Sequence, residues 1–383
     1  MNSLCYQVNL QSGFGGGEVF TSFFTRALEA TGVRSVLFAH PKATHWREHL
    51  PAGTQIVPAT GIELIERFTS LANATVLFHT PLPRAAVETL HRAGSKAIAF
   101  AHMPWYDREP SVLEVYDLIV PVSQHVARSL HARNLARVYS DALYGVADLR
   151  GRHGDRHGVI VAAPVYDWDR RKLRERFLRH AYPLWWRLQP RRSYARRAGL
   201  ALGIVSRLTT IKQFPALFEV LAPVVRRHPD VGLEIFGSGG YASVRDLRRA
   251  LAPIRDQVRW WGHQRNVGTV YAQLDYLMTG LPEKEALGLN VIEAQACGLP
   301  VIAVRAPPFS ETVAEGLTGL FYEDPRKDQG RSFEQLLVRL QQARLVIDPE
   351  VARSHLQQFS ESVFGERVAR LAHHLGLSGQ AGG

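Results

Sequence analysis

Short apolar runs alternate with longer stretches of helical periodicity, and the chain does this twice. In the first half, strands are expected near Leu4–Leu10, Ser35–Ala39, Thr75–His79, Lys96–Ala101 and Leu118–Val122. Helical patterns at Val19–Ala30, Arg84–Ala93 and His125–Ala132 fall among them. In the second half, strands are expected near Ala201–Ser206, Gly232–Phe236, Val258–Trp261, Tyr276–Thr279, Val301–Val304 and Gly319–Tyr322. Helical stretches at Pro215–Arg227, Val244–Leu251, Val291–Ala296 and Phe333–Ala343 separate these. Such alternation argues for parallel sheets covered by helices on both faces. It is interrupted around residues 145–200, so two doubly wound α/β domains are expected. Sheets of this kind take ligands outside the carboxyl ends of their strands, so chemistry is to be sought in the turns that follow strands.

Composition narrows the class further. Apolar residues make up 46% and charged residues 21% of the 383 residues. That excludes a disordered, collagen-like or coiled-coil chain. No apolar run approaches the roughly eighteen residues that span a bilayer. The first residues hold no basic region followed by an apolar stretch, so no signal peptide is expected. Two cysteines, Cys5 and Cys297, are too few for a disulfide framework or a cysteine zinc site, and they fit a reducing, cytoplasmic setting.

The net charge of +11 is concentrated. Residues 168–198 carry ten Arg and one Lys against one Asp and one Glu, a net of +9. Within this segment Leu173, Phe177, Ala181, Leu184 and Leu188 recur at helical spacing beside Trp185 and Trp186, and Pro183 interrupts the helix. A solvated helix pair packed on the second domain, docking to an anionic membrane surface, and a polyanionic partner all stay open. Nucleic acid is the less expected partner.

Two turns stand out. Ser12-Gly13-Phe14-Gly15-Gly16-Gly17-Glu18 follows the first strand and opens a helix. Glycines let a backbone approach a ligand, and a helix start offers free N–H groups to an anion. Glu18 stands where a dinucleotide fingerprint would place its third glycine, so that reading fails. The second turn, Glu283 to Leu299, follows the Tyr276–Thr279 strand and leads into a helix. Leu287-Gly288-Leu289-Asn290 would expose amides at the helix start, while Glu285 and Glu293 suit hydroxyl donors better than phosphate.

This second stretch, a Glu-x7-Glu running into Glu-Ala-x-Ala-Cys-Gly-Leu-Pro-Val-Ile, closely resembles the signature of retaining glycosyltransferases of the family 4 type, with a GT-B fold. Other pieces fall in that family's order. Gly203–Leu208 with Lys212 resembles its Arg-x4-Lys pair, Glu234–Gly239 its next strand and glycine turn, and Val258–Gly262 the strand beside the donor base. The resemblance is stronger over 201–325 than over 1–150. It implies two Rossmann-like domains facing across a cleft: residues 1–147, with 359–383 crossing back onto them, and residues 148–358, with a basic, aromatic insertion at about 166–199.

The resemblance implies transfer of a sugar from a nucleotide-diphosphate donor to a hydroxyl acceptor, a glycan or a lipid-linked compound, with retention at the anomeric carbon. Arg207, Lys212, Gly16, Gly17 and the amides of Gly288, Leu289 and Asn290 would hold the diphosphate. Glu285, Leu287 and Glu293 would hold the sugar and ribose, and Gly237, Trp261, Gly262 and His263 the base. Glu285 and His102 would lie nearest the reacting centre. Two fixed cations and a helix start would serve in place of Mg²⁺, so neither metal nor cofactor is expected. A nucleotide-sugar epimerase and a catalytically silent binding scaffold are the rival readings.

Overall fold

The computed structural model describes residues 4–13, 15–146, 158–168, 175, 182, 186–188 and 192–377. The chain divides into two compact units, residues 1–148 with 357–383, and residues 149–356.

The first unit is built on a six-stranded, all-parallel sheet: β1 (Leu4–Asn9), β2 (Arg34–Ala39), β3 (Gln55–Pro58), β4 (Thr75–Phe78), β5 (Lys96–Ala101) and β6 (Leu118–Pro121). Their spatial order is β3-β2-β1-β4-β5-β6. The inner strands β2 and β5 are apolar beyond their first residues, as a sheet covered on both faces requires, while β1 carries buried Gln7 and Asn9. Helices Gly16–Ala30, Arg84–Arg92 and Gln124–His131 connect them. The start of the last is fixed by Ser123, whose hydroxyl accepts from the Val126 amide at 3.1 Å. β3 is absent from the strands expected above. It is a four-residue edge strand, half exposed and ended by a proline, so it carries little of the apolar signal that marks the others. The helix Glu361–His374 belongs to this unit, and its Phe364 meets Phe20 edge-on with ring centroids 5.5 Å apart.

The second unit repeats the plan with β7 (Leu200–Val205), β8 (Val231–Phe236), β9 (Val258–Gly262), β10 (Tyr276–Met278), β11 (Val301–Val304) and β12 (Gly319–Tyr322). The order is β12-β11-β10-β7-β8-β9, again all parallel. Helices Phe214–Arg226, Tyr241–Ala250, Leu289–Ala296 and Arg331–Gln342 cover the sheet. One core joins Leu202, Ile204 and Ile235 of the strands to Leu217, Phe218 and Leu221 of the first of these helices. Full burial of such a side chain contributes about 1.5–3 kcal/mol.

The helical spacing expected at Leu173–Leu188 lies for the most part outside the described residues. Of the described ones, Leu188 is 83% exposed and Trp186 stacks on Tyr182. Among the described residues, no helix is long and apolar enough to cross a membrane.

Candidate functional site

In both sheets the strand order reverses beside the first strand of the unit, between β1 and β4 and between β7 and β10. These are the switch points at which doubly wound sheets leave a crevice.

At the β7/β10 switch point, Arg207 follows β7 directly and is exposed. Its guanidinium makes no hydrogen bond or ion pair with a described residue. Lys212 ends the same turn. Its carbonyl accepts from the Leu281 amide at 3.2 Å, just beyond β10. The approach is so close that a Cβ on Gly280 would lie 1.8 Å from that carbonyl oxygen, so glycine is required there. The Lys212 ammonium donates to Glu285 Oε2, and both side chains are mostly buried. The sequence assigned these two residues separate tasks; the structure pairs them.

The helix Leu289–Ala296 begins at the same place. Gly288 takes a left-handed conformation, φ +84°, to turn the chain into it. Asn290 Nδ2 donates to the Val205 carbonyl at 3.0 Å, which fastens the helix start to the end of β7. The amides of Leu289 and Asn290 lie in the first turn and so have no intrahelical acceptor. Glu293 is half-buried one turn further and is already engaged within the protein. Leu287 is buried, with 4% of its surface exposed, so its side chain packs the turn from inside. Arg207, Lys212, Glu285 and the helix start therefore converge on one switch point.

The expected base-binding residues fare differently. His263 is exposed beyond β9. Gly237 and Gly262 have internal reasons to be glycine: a Cβ would fall 1.9 Å from the Ser206 carbonyl oxygen and 2.1 Å from that of Ala163. The Trp261 side chain is 4% exposed and donates to Glu234 Oε2 at 2.6 Å. Glu234 is fully buried in β8, where Arg197 Nε donates to it at 2.9 Å and Arg259 Nε at 2.8 Å. The indole thus completes a buried ion cluster, and the Trp261 carbonyl accepts from the Ala163 amide and from Gln264 Nε2, each at 2.8 Å. The polar network was missed in the sequence reading, although a glutamate inside Val-Gly-Leu-Glu-Ile-Phe was the signal for it.

The β1/β4 switch point is uncharged at its centre. Gly16 and Gly17 open the helix Gly16–Ala30. A Cβ on Gly17 would meet nothing within 4 Å, so nothing inside this unit calls for glycine there. One turn on, Phe20 meets the His102 ring edge-on at 4.9 Å, which brings the glycine turn and His102 together. His102 follows β5, and its Nε2 is buried without a partner among the described residues. Burial holds its pKa down at about 4, so the ring is neutral at pH 7. His79, at the end of β4, lies 5.8 Å away, ring to ring. Its Nε2 is 2.9 Å from Gln7 Oε1, and burial, then the His102 charge, hold its pKa well below the usual range. Neither His79 nor Gln7 was singled out from the sequence. A glutamine inside an apolar strand was the available clue.

Two parallel sheets with this strand order, following each other in one chain, define a GT-B fold. Residues 197–339 match the family model described as Glycosyl transferases group 1. Among solved structures, HepE from Anabaena in complex with UDP and glucose aligns with a TM-score of 0.68 at 13% identity, over 97% of this chain and 100% of that one. A glycosyltransferase from Rickettsia africae aligns with a TM-score of 0.68 at 14% identity, over 99% and 100%. At these identities the likeness is one of fold. The chain is also 32% identical over 177 residues to the GDP-mannose-dependent monoacylated alpha-(1-6)-phosphatidylinositol monomannoside mannosyltransferase of Corynebacterium glutamicum, covering 43% of this chain and 45% of that protein. It is 33% identical over 120 residues to the N-acetyl-alpha-D-glucosaminyl L-malate synthase of Bacillus anthracis, covering 31% of each. The aligned part spans less than half the length of these curated relatives.

Proposed function

We propose that this protein transfers a sugar from a nucleoside-diphosphate donor to a hydroxyl acceptor. The observation that carries the reading is the fastening of the helix start at Asn290 to the end of the strand that delivers Arg207, with Lys212 and Glu285 paired at the same switch point. Arg207 offers a planar fork and Lys212 a compact charge to the two phosphates. The free amides of Leu289 and Asn290 add the positive end of a helix. When a diphosphate enters, Lys212 turns from Glu285 to the phosphate oxygens, and the released carboxylate accepts from sugar hydroxyls. These cations neutralise the leaving group as its charge grows, so we propose that the reaction needs no metal. Among the described residues, no group of three His, Cys, Asp or Glu side chains is placed to hold one.

By family resemblance the transfer retains anomeric configuration. The bond from the anomeric carbon to the phosphate oxygen breaks, the bond to the acceptor oxygen forms on the same face, and the acceptor's proton passes to the departing phosphate. Neutral His102 and the bare Gly16-Gly17 backbone serve the sugar and acceptor. One relative whose name includes a phosphatidylinositol monomannoside supports a lipid-linked acceptor for this chain too. The half-buried rings of Tyr166, Trp168, Tyr182, Trp186 and Tyr241 meet in one group, and this, with the net charge of +9 in the sequence of 168–198, supports docking on an anionic membrane. Sedimentation with anionic vesicles that weakens with salt is expected; binding indifferent to salt and lipid charge would remove that part.

The primary test is calorimetry with UDP, GDP and ADP and their sugars, with and without EDTA. One nucleotide is expected to bind wild type in EDTA and to be lost in Arg207→Ala. Binding unchanged in that variant would defeat the proposal.

A further inference from the structure

We infer that Gln213 is a positioning residue for the diphosphate site, held in a strained turn by Glu283 and Arg326 so that Lys212 keeps its aim. The inference rests on the reading of Lys212 given above.

Gln213 joins Lys212 to the helix Phe214–Arg226, and it does so at φ +53°, ψ +26°. That left-handed region disfavours any residue with a Cβ, and glycine is the residue that enters it without strain. A glutamine persists there when something outside the backbone compensates. Its side chain shows what does. Gln213 Nε2 donates to Glu283 Oε2 at 3.0 Å. Glu283 in turn accepts from Arg326. The arginine is anchored by Asp324, which accepts from its Nε at 2.9 Å and from its terminal nitrogen at 2.7 Å. Asp324 also accepts from the Arg326 backbone amide at 3.0 Å, so the guanidinium is tied to its own turn after β12. These charges raise the arginine's pKa and lower that of Asp324, so both stay ionised across the working range.

The tether reaches one residue beyond Lys212 and two residues before Glu285. It therefore braces both partners of the ion pair from outside. Single exposed ion pairs are weak, but a network whose members share partners holds its geometry better. The backbone on the inner side is already fixed, by the Leu281 amide and by the close fit at Gly280. Gln213 is the junction between that fixed turn and the helix, where its carbonyl accepts from the Leu217 amide at 3.1 Å and its side chain carries the tether. A strained residue next to a catalytic cation, with its side chain spent on a tether, is an arrangement that favours aim over stability.

Strain and function then predict opposite responses, which a merely structural glutamine would not give. In Gln213→Gly the strain is gone and so is the tether. The melting temperature is expected to hold or rise, while the affinity for whichever of UDP, GDP or ADP binds wild type falls about ten-fold by calorimetry. Glu283→Ala, at an exposed position, is expected to give the same loss, and Glu283→Gln, which keeps only one of the two oxygens that accept from Gln213 and Arg326, an intermediate one. Lys212→Ala is expected to lose more than either. Should Gln213→Gly fail to fold, Glu283→Ala decides alone. Wild-type affinity in Gln213→Gly and Glu283→Ala, alongside a damaged Lys212→Ala, overturns the positioning role and leaves the Lys212 reading standing. Wild-type affinity in Lys212→Ala, or no nucleotide bound by wild type, overturns the Lys212 reading and this inference with it.

Discussion

The two sheets share one strand order and put different chemistry at the same place in it. At the β7/β10 switch point stand Arg207, Lys212 and Glu285 with a helix start. At the β1/β4 switch point stand Gln7, His79 and His102 among Phe20, Phe24 and Phe100. Topology decides where a crevice forms, and a handful of side chains decides what it holds. Fixed cations suit a diphosphate. Neutral rings and bare backbone suit an uncharged sugar or alcohol. The second environment also keeps itself neutral: burial holds both imidazoles against protonation, and a charge on His102 would make protonation of His79 harder still.

The largest expected effect separates the two regions at once. On the proposed reading Arg207→Ala removes a charge-assisted donor to the leaving group, and a loss of about 10²–10³ in kcat/KM is expected. His102→Gln keeps a neutral polar group, so its loss should be much smaller. Equal losses would break the comparison. Next in size is Glu234→Ala. It strands Arg197 and Arg259, whose side chains are 19% and 27% exposed, and frees the Trp261 indole. A cost of about 3 kcal/mol is expected, at the low end for a broken buried pair because the arginines can reach water. In a unit of this size the melting temperature should fall by about 6–12 °C. An unchanged melting curve would make the cluster incidental.

The histidine pair predicts a pH dependence. An unfolded histidine takes up its proton near pH 6.5, whereas folded His102 waits until about 4. Between those values the unfolded state binds more protons, so stability rises with pH and is lost as pH falls from 6.5 towards 4. His102 contributes at most about 3 kcal/mol to that loss. Denaturant titrations of His102→Gln should show a flatter slope across that window than wild type, and an identical slope would place the ring's proton elsewhere. Smallest of all, Gly17→Ala should change stability by no more than about 0.5 kcal/mol, since its Cβ enters open space. A drop in transfer with stability intact would show that the bare backbone serves a ligand, and full activity would show that it does not.

Most of the fold was legible because its strands are buried on both faces. Lys96–Ala101, Val301–Val304 and Gly319–Tyr322 fall where the apolar runs end. Gln55–Pro58 was not legible, because an edge strand needs little apolar surface. The site divides along another line. Residues in one local string, Glu285 through Glu293, announce themselves together. Partners brought together by the sheet do not: Lys212 and Glu285 are 73 positions apart, and Gln7 and His79 are 72. Trp261 is a further case: its indole donates to Glu234, 27 positions away, a pairing its own neighbours in sequence do not announce.

The helix Glu361–His374 closes the first unit with Phe364 on Phe20, and Arg370 pairs with Asp141 at 2.6 Å. The unit that begins the chain is therefore the one completed last. As the chain is synthesised from its amino end, residues 149–356 are all present while the first unit still lacks its closing helix. A stop codon just ahead of Phe364 would uncover one side of Phe20 and leave residues 149–356 whole, so late damage falls on the half made first.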